Sequence, residues 1–127
     1  MDIEYILGLE KIDTDIYRGP AVESELIRTF GGQVAAQALV AATETVEAGK
    51  AVHSLHGYFL AAGKAADPTV FLVDRLRDGR SFSSRQVRAV QNGETIFSMQ
   101  ASFHVRDDIG PEHSDVMRRV PMPEDFA

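Results

Sequence analysis

The apolar positions change their period twice along the chain. Within 6–17, Leu7, Leu9, Ile12 and Ile16 stand among acidic neighbours in a weak alternation, which predicts one strand entered through a turn. Arg18-Gly19-Pro20 breaks it, and 21–29 is expected to be a loop or a short helix. From 32 to about 46 the pattern becomes helical: Val34, Ala35, Ala36, Ala38, Leu39, Val40, Ala41 and Ala42 surround the axis almost completely. Polar residues return in number only at Thr43, Glu44 and Thr45. A helix apolar on every side is one that other structure wraps, and its alanines keep it thin enough for a curved sheet to approach. Gly49 is expected to end it.

After the helix the period is that of strands. A strand over 53–60 leads into a turn-rich stretch, 61–68. In 69–76, Val70, Leu72 and Leu76 share one side, with Phe71 and Val73 on the other. Asp78-Gly79 makes a turn, 83–91 is a further strand, and Asn92-Gly93 is a strong signal for a two-residue hairpin. In 95–105 the alternation is complete. Thr95, Phe97, Met99, Ala101, Phe103 and Val105 face one way, Ser98, Gln100, Ser102 and His104 the other. A strand, a buried helix and four antiparallel strands make an α+β domain. A sheet curled around one long apolar helix is the hotdog arrangement. Cystatin-like and other helix-on-sheet folds are the rivals, but they carry an amphipathic helix on one sheet face. The domain is expected to occupy 1–105. Asp107, Asp108, Gly110, Pro111, Pro121 and Pro123 make 106–127 read as a linker.

Composition narrows the function classes. With 127 residues, 44% hydrophobic and 25% charged, the chain suits one globular domain. A net charge of -6 opposes any sequence-independent grip on nucleic acid, although a local arginine cluster can still take a small anion. There is no cysteine, hence no disulfide, thiolate metal site or cysteine nucleophile. The longest apolar run, 34–42, falls far short of the ~20 residues of a membrane span. Acidic residues rather than a basic and then apolar run follow Met1, so no secretory leader is expected. A cytoplasmic protein without membrane contact is the expectation.

Three segments carry residue types suited to chemistry. Phe30-Gly31-Gly32-Gln33 stands where the helix is expected to start. Glycines there let a ligand approach the backbone, and free N–H groups at a helix N-terminus point at it with the positive end of the dipole. Such donors polarise a thioester carbonyl and stabilise the oxyanion formed on attack. Gly31 and Gly32 equally fit a turn into a crowded core. Gln33 and Gln37, one helical turn apart, share a face. His53-Ser54-Leu55-His56 opens a strand, and alternation places His53 and His56 on opposite faces. That excludes a two-histidine metal site and leaves each as a candidate general base, set against a structural hydrogen bond. Finally, Arg77-Asp78-Gly79-Arg80-Ser81-Phe82-Ser83-Ser84-Arg85 is a turn dense in arginine and hydroxyls, which suit phosphate groups; the alternative is a solvated hairpin. No metal-ligand spacing, phosphate-binding loop or dinucleotide fingerprint is present.

Several of these stretches together carry a resemblance. Leu9-Glu10-Lys11-Ile12, Tyr17-Arg18-Gly19, Phe30-Gly31-Gly32-Gln33 with Gln37-Ala38-Leu39, and Val52-His53-Ser54-Leu55-His56-Gly57-Tyr58-Phe59-Leu60 come first. Arg77-Asp78-Gly79-Arg80-Ser81-Phe82, Val90-Gln91-Asn92-Gly93, Ile96-Phe97 and Ala101-Ser102-Phe103 follow in order. The chain resembles the N-terminal half of the type II (TesB-like) acyl-CoA thioesterases, which carry two hotdog domains in one chain. The resemblance implies hydrolysis of acyl-CoA to fatty acid and CoA with no metal and no cofactor, CoA being part of the substrate. It also implies that the hydrolytic water is held by an Asp, a Thr or Ser, and a Gln of the second domain, so no position here matches them.

The chain is therefore expected to be the non-catalytic half. Gly31, Gly32, Gln33, Arg77, Arg80, Ser81, Phe82 and Ser83 are the expected substrate contacts, and His53 and His56 the only catalytic candidates. Its expected partners are acyl-CoA and a second hotdog domain or a second copy of itself, because a lone hotdog leaves a sheet edge and a face uncovered. Two alternatives stand beside this: a self-sufficient dimeric hotdog using His53 or His56, and an acyl-CoA-binding or oligomerisation module without activity.

Overall fold

A computed structural model describes residues 2–22, 25, 27–107 and 109–126. The elements are α1 (Ile3–Leu7), β1 (Glu10–Asp13), β2 (Ile16–Gly19), α2 (Gly31–Thr43), β3 (Lys50–Phe59), β4 (Thr69–Asp78), β5 (Phe82–Gln91) and β6 (Glu94–Val105), followed by a 3-10 turn at Pro123–Asp125. The six strands form one antiparallel sheet in the order β1-β2-β4-β5-β6-β3, with α2 laid across one face. This is the hotdog arrangement.

The N-terminal segment differs from its expectation of one strand. Asp2 caps α1 by accepting from the Glu4 amide at 3.1 Å, and the chain then makes a β1–β2 hairpin turning at Thr14 and Asp15. Asp15 takes φ 59, a left-handed position that asparagine and aspartate tolerate better than most residues. Its carboxylate pairs with Arg75 at 2.9 Å, and its carbonyl accepts from the Val73 amide, which ties the turn to β4. Arg18 and Gly19, expected to break the strand, lie within β2. Among the described residues of 21–29 there is no helix; Glu23, Ser24 and Leu26 lie outside them.

The core forms between α2 and the inner sheet face. Val34, Ala38, Ala41 and Ala42 pack onto Phe71, Val73, Val87, Ala89, Phe97, Met99, Ala101 and Phe103. The β6 alternation is as expected: Phe97, Met99, Ala101 and Phe103 are buried, Ser98 and Ser102 half-exposed, Gln100 exposed. The helix itself is wrapped on one side only, for Ala36 and Val40 are half-exposed in this chain. Its buried side includes a polar residue. Gln37 is 1% exposed and donates from Nε2 to the Ile6 carbonyl at 2.8 Å, which docks α1 onto α2. Beneath it Gly19 has no room for a side chain, since a Cβ there would lie 2.8 Å from the Gln37 amide.

The helix stops at Thr43 with Glu44 as its C-cap, earlier than expected. Gly49 instead takes φ 102 in the turn that leads into β3. Asn92 (φ 49) and Gly93 (φ 78) form the left-handed pair that a tight hairpin requires. Because Ala41 is fully buried under the sheet, Ala41→Leu is expected to overpack the core and destabilise by about 1–3 kcal/mol, read as a lower urea midpoint.

Candidate functional site

Phe30 precedes α2 in an extended conformation (φ -64, ψ 127) and its carbonyl accepts the amides of Gln33 and Val34. Among the described residues nothing accepts the amides of Gly31 and Gly32, which lie at the positive end of the helix. Two exposed rings press on these glycines. A Cβ on Gly31 would lie 3.0 Å from the Phe59 ring, and one on Gly32 would lie 2.6 Å from the Phe30 ring. The glycines thus make room for aromatic rings as well as baring amides. Beside them is a hollow of about 340 Å3 walled by Gly31, Val34, Phe59, Ala61, Ile96 and Phe97, with Arg28 and Thr29 at its rim. No carboxylate or histidine lines it among the described residues. Gln33 is half-buried on the first turn, while Gln37 is committed to Ile6, so the expected Gln33–Gln37 pair does not form a joint polar site.

The histidines are placed differently from the alternation. β3 pairs Val52 with Phe103 and then Ser54 with Ser102, which leaves His53 as the extra residue of a β-bulge. A bulge interrupts the period of two, and His53 therefore joins His56 on the outer face instead of opposing it. There His53 Nε2 lies 2.7 Å from Ser102 Oγ, and its ring meets those of Phe82 and His104 edge-on. His56 pairs with Gln100 and packs its ring against Tyr58. Neither histidine lies among the residues that wall the hollow at Gly31, which sits on the inner face. Among the described residues no group of three or more His, Asp or Glu stands close enough to hold a metal ion.

The arginine-rich turn forms a second hollow at the other end of the sheet. Arg77, Gly79, Arg80, Ser81, Phe82, Ser84 and Ser102 enclose about 610 Å3. The expected contacts Arg77, Arg80, Ser81 and Phe82 thus come together, joined by Ser84 and Ser102. Ser83 turns to the inner face, where it is fully buried and donates to Asp78 at 3.0 Å.

Beneath the turn lies a polar network. Arg85, 1% exposed, makes five hydrogen bonds: to the Thr45 hydroxyl (2.7 Å), the carbonyls of Thr45, Arg77 and Ser84, and Asp78 Oδ1 (2.7 Å). Lys50 Nζ donates to the Gly79 carbonyl (2.6 Å) and to Ser83 Oγ (3.0 Å). The Arg85 hydrogen bond holds the Asp78 carboxyl below its ordinary value, with Ser83 helping and desolvation opposing. The network fixes the turn to the end of α2 and the start of β3. Arg85 was not among the expected site residues, yet strand parity carried the signal: it shares the inward side of β5 with Val87 and Ala89.

Comparison with known proteins follows the same lines. The sequence model of the acyl-CoA thioesterase N-terminal domain family matches residues 23–104. The chain is 44% identical over 123 residues to acyl-CoA thioesterase 2 of Haemophilus influenzae, covering 97% of this chain and 43% of that protein. It is 45% identical over 121 residues to human acyl-coenzyme A thioesterase 8, covering 95% and 38%. The crystal structure of an acyl-CoA thioesterase II from Mycobacterium marinum superposes with a TM-score of 0.83 at 54% identity, over 97% of this chain and 45% of that one. The chain therefore spans less than half the length of these relatives.

Proposed function

This chain belongs to the acyl-CoA thioesterase N-terminal domain family, and on that premise we propose that it is one hotdog half of an enzyme that hydrolyses acyl-CoA to fatty acid and CoA. The observation that carries the reading is the hollow beside Gly31 at the N-terminus of α2: its walls are largely apolar, and among the described residues no carboxylate or histidine lines it to activate water. Water adding to a thioester carbonyl transfers the carbonyl π electrons to oxygen; the tetrahedral intermediate then expels the CoA thiolate. Amides aimed at that oxygen stabilise it, while the base that takes the proton from water must come from elsewhere. This chain supplies binding and the donors, and a second hotdog domain the base.

The place for that domain is the β3 edge. Among the described residues β3 bonds to β6 alone, and α2 leaves its inner side uncovered, with Leu55 49% and Phe59 64% exposed. A ten-residue strand with an open edge beside apolar side chains invites a partner. In the absence of a second domain, a second copy of this chain is the proposed occupant, giving a homodimer. A cytoplasmic location is part of the same proposal. Leu55→Lys is expected to shift the sedimentation equilibrium towards monomer with the circular dichroism unchanged; an unaltered dimer constant would remove β3 as the interface.

The functional test uses a protein in which this chain is joined to the second half of a relative. Gly31→Val, which displaces the Phe59 ring and crowds the amides, is expected to lower kcat by roughly 10²-fold while the fold persists. Unchanged kcat would leave the hollow without a role in the chemistry. A non-enzymatic acyl-CoA-binding module is the other reading, favoured by the same lack of a base, and it requires the joined protein to be inactive.

A further inference from the structure

The second hollow lies on the outer face of the sheet. Its wall residue Ser102 stands five positions along β6 from Phe97, which walls the first, a distance of about 17 Å along the strand. It therefore needs its own account. Asp78, the carboxylate nearest in sequence, is bound to Arg85 and Ser83, and among the described residues neither Arg77 nor Arg80 has an acidic partner. In a protein of net charge -6, two unpaired guanidinium groups around one hollow mark a site for an anion. Serine hydroxyls of Ser84 and Ser102 supply further hydrogen-bonding groups.

One wall is aromatic. Phe82 is 48% exposed, with the His104 ring tilted against it at 4.3 Å and the His53 ring edge-on at 5.9 Å. The bulge in β3 is what brings His53 there. Arginine forks beside an open flat ring suit a ligand that carries phosphates next to a planar base. The buried Arg85 and Lys50 hold the backbone of the turn from behind, so the arginines are presented on a fixed frame.

We infer that this outer-face hollow binds the nucleotide end of CoA, with Arg77 and Arg80 on its phosphates and the adenine against Phe82. The inference rests on the acyl-CoA reading and assigns a subsite to it.

Calorimetric titration with adenosine 3′,5′-bisphosphate tests it. The wild-type chain is expected to bind the bisphosphate, more weakly as salt is raised, and the Arg77→Ala/Arg80→Ala variant at least about tenfold more weakly. Phe82→Ala is expected to weaken the bisphosphate while leaving inorganic phosphate unaffected. Both arginines are exposed, so the double variant keeps its urea midpoint; should it not, Phe82→Ala carries the test alone. An acyl-pantetheine lacking the nucleotide is expected to bind wild type and double variant equally. No bisphosphate binding, or binding indifferent to all three residues, overturns the inference. So does equal affinity for bisphosphate and inorganic phosphate, because the adenine then contributes nothing. Failure of acyl-pantetheine to bind the wild type, with the bisphosphate still bound at the arginines, would instead count against the thioester hollow at Gly31.

Discussion

Arg85→Ala is expected to lower the unfolding free energy by about 3–5 kcal/mol, measured by urea denaturation at pH 7. The guanidinium is buried and donates to the Thr45 hydroxyl and to the carbonyls of Thr45, Arg77 and Ser84, all of which alanine would lose. The Asp78 side chain is 52% exposed, so solvent screens the ion pair, and most of the loss comes from the other buried hydrogen bonds and the vacated volume. Arg85→Lys keeps the charge but not the planar fork, and an intermediate loss is expected.

The pair also sets an acid dependence. Because the Asp78 carboxyl is held below its ordinary value in the folded state, its contribution is fully present at neutral pH. It fades as the pH falls below the usual carboxylate range and through the depressed value. The wild type should therefore lose the ion-pair part of its advantage over Arg85→Ala in that acid window. A midpoint difference that stays constant with pH would show that Asp78 takes no part.

Phe103→Ala is expected to cost a similar amount, about 3–5 kcal/mol, because the ring is fully buried on β6 and little around it can collapse into the space. Phe103 pairs across the ladder with Ser83, a member of the Arg85 network. The two losses should accordingly fall short of adding in the double variant, an interaction that a mutant cycle reads directly. Full additivity would place the core and the network in independent units.

These two residues also mark what the sequence made legible. Phe103 belongs to a strict alternation, and period-two patterning in a sheet with one covered face is the strongest signal a chain can carry. Other local signals were as plain: the Asn-Gly pair located the hairpin at Asn92-Gly93, and the all-round apolar pattern located the alanine-rich helix. Arg85 obeys the parity of β5 too, but residue type argues for exposure, and the partners that permit its burial come from α2 and the β4–β5 turn, far apart in sequence. The His53 bulge was invisible for a different reason. Inserting one residue depends on how β3 matches β6, and no local pattern reports it; its consequence was to move His53 to the outer face. The β1–β2 hairpin was hidden because each strand has four residues, too few to show a period. Of the candidate site, the composition of the arginine turn was plain, whereas its separation from Gly31 followed only from the order of the strands.

On the proposed division of labour this chain binds and orients an acyl-CoA, and another hotdog domain performs its hydrolysis. Steady-state release of CoA from an acyl-CoA distinguishes the two roles, measured with the purified chain alone and again after addition of the separately produced C-terminal half of the Haemophilus influenzae relative. No turnover above buffer is expected from the chain alone, and sustained turnover once the second half is added. Robust hydrolysis by the chain alone would contradict it.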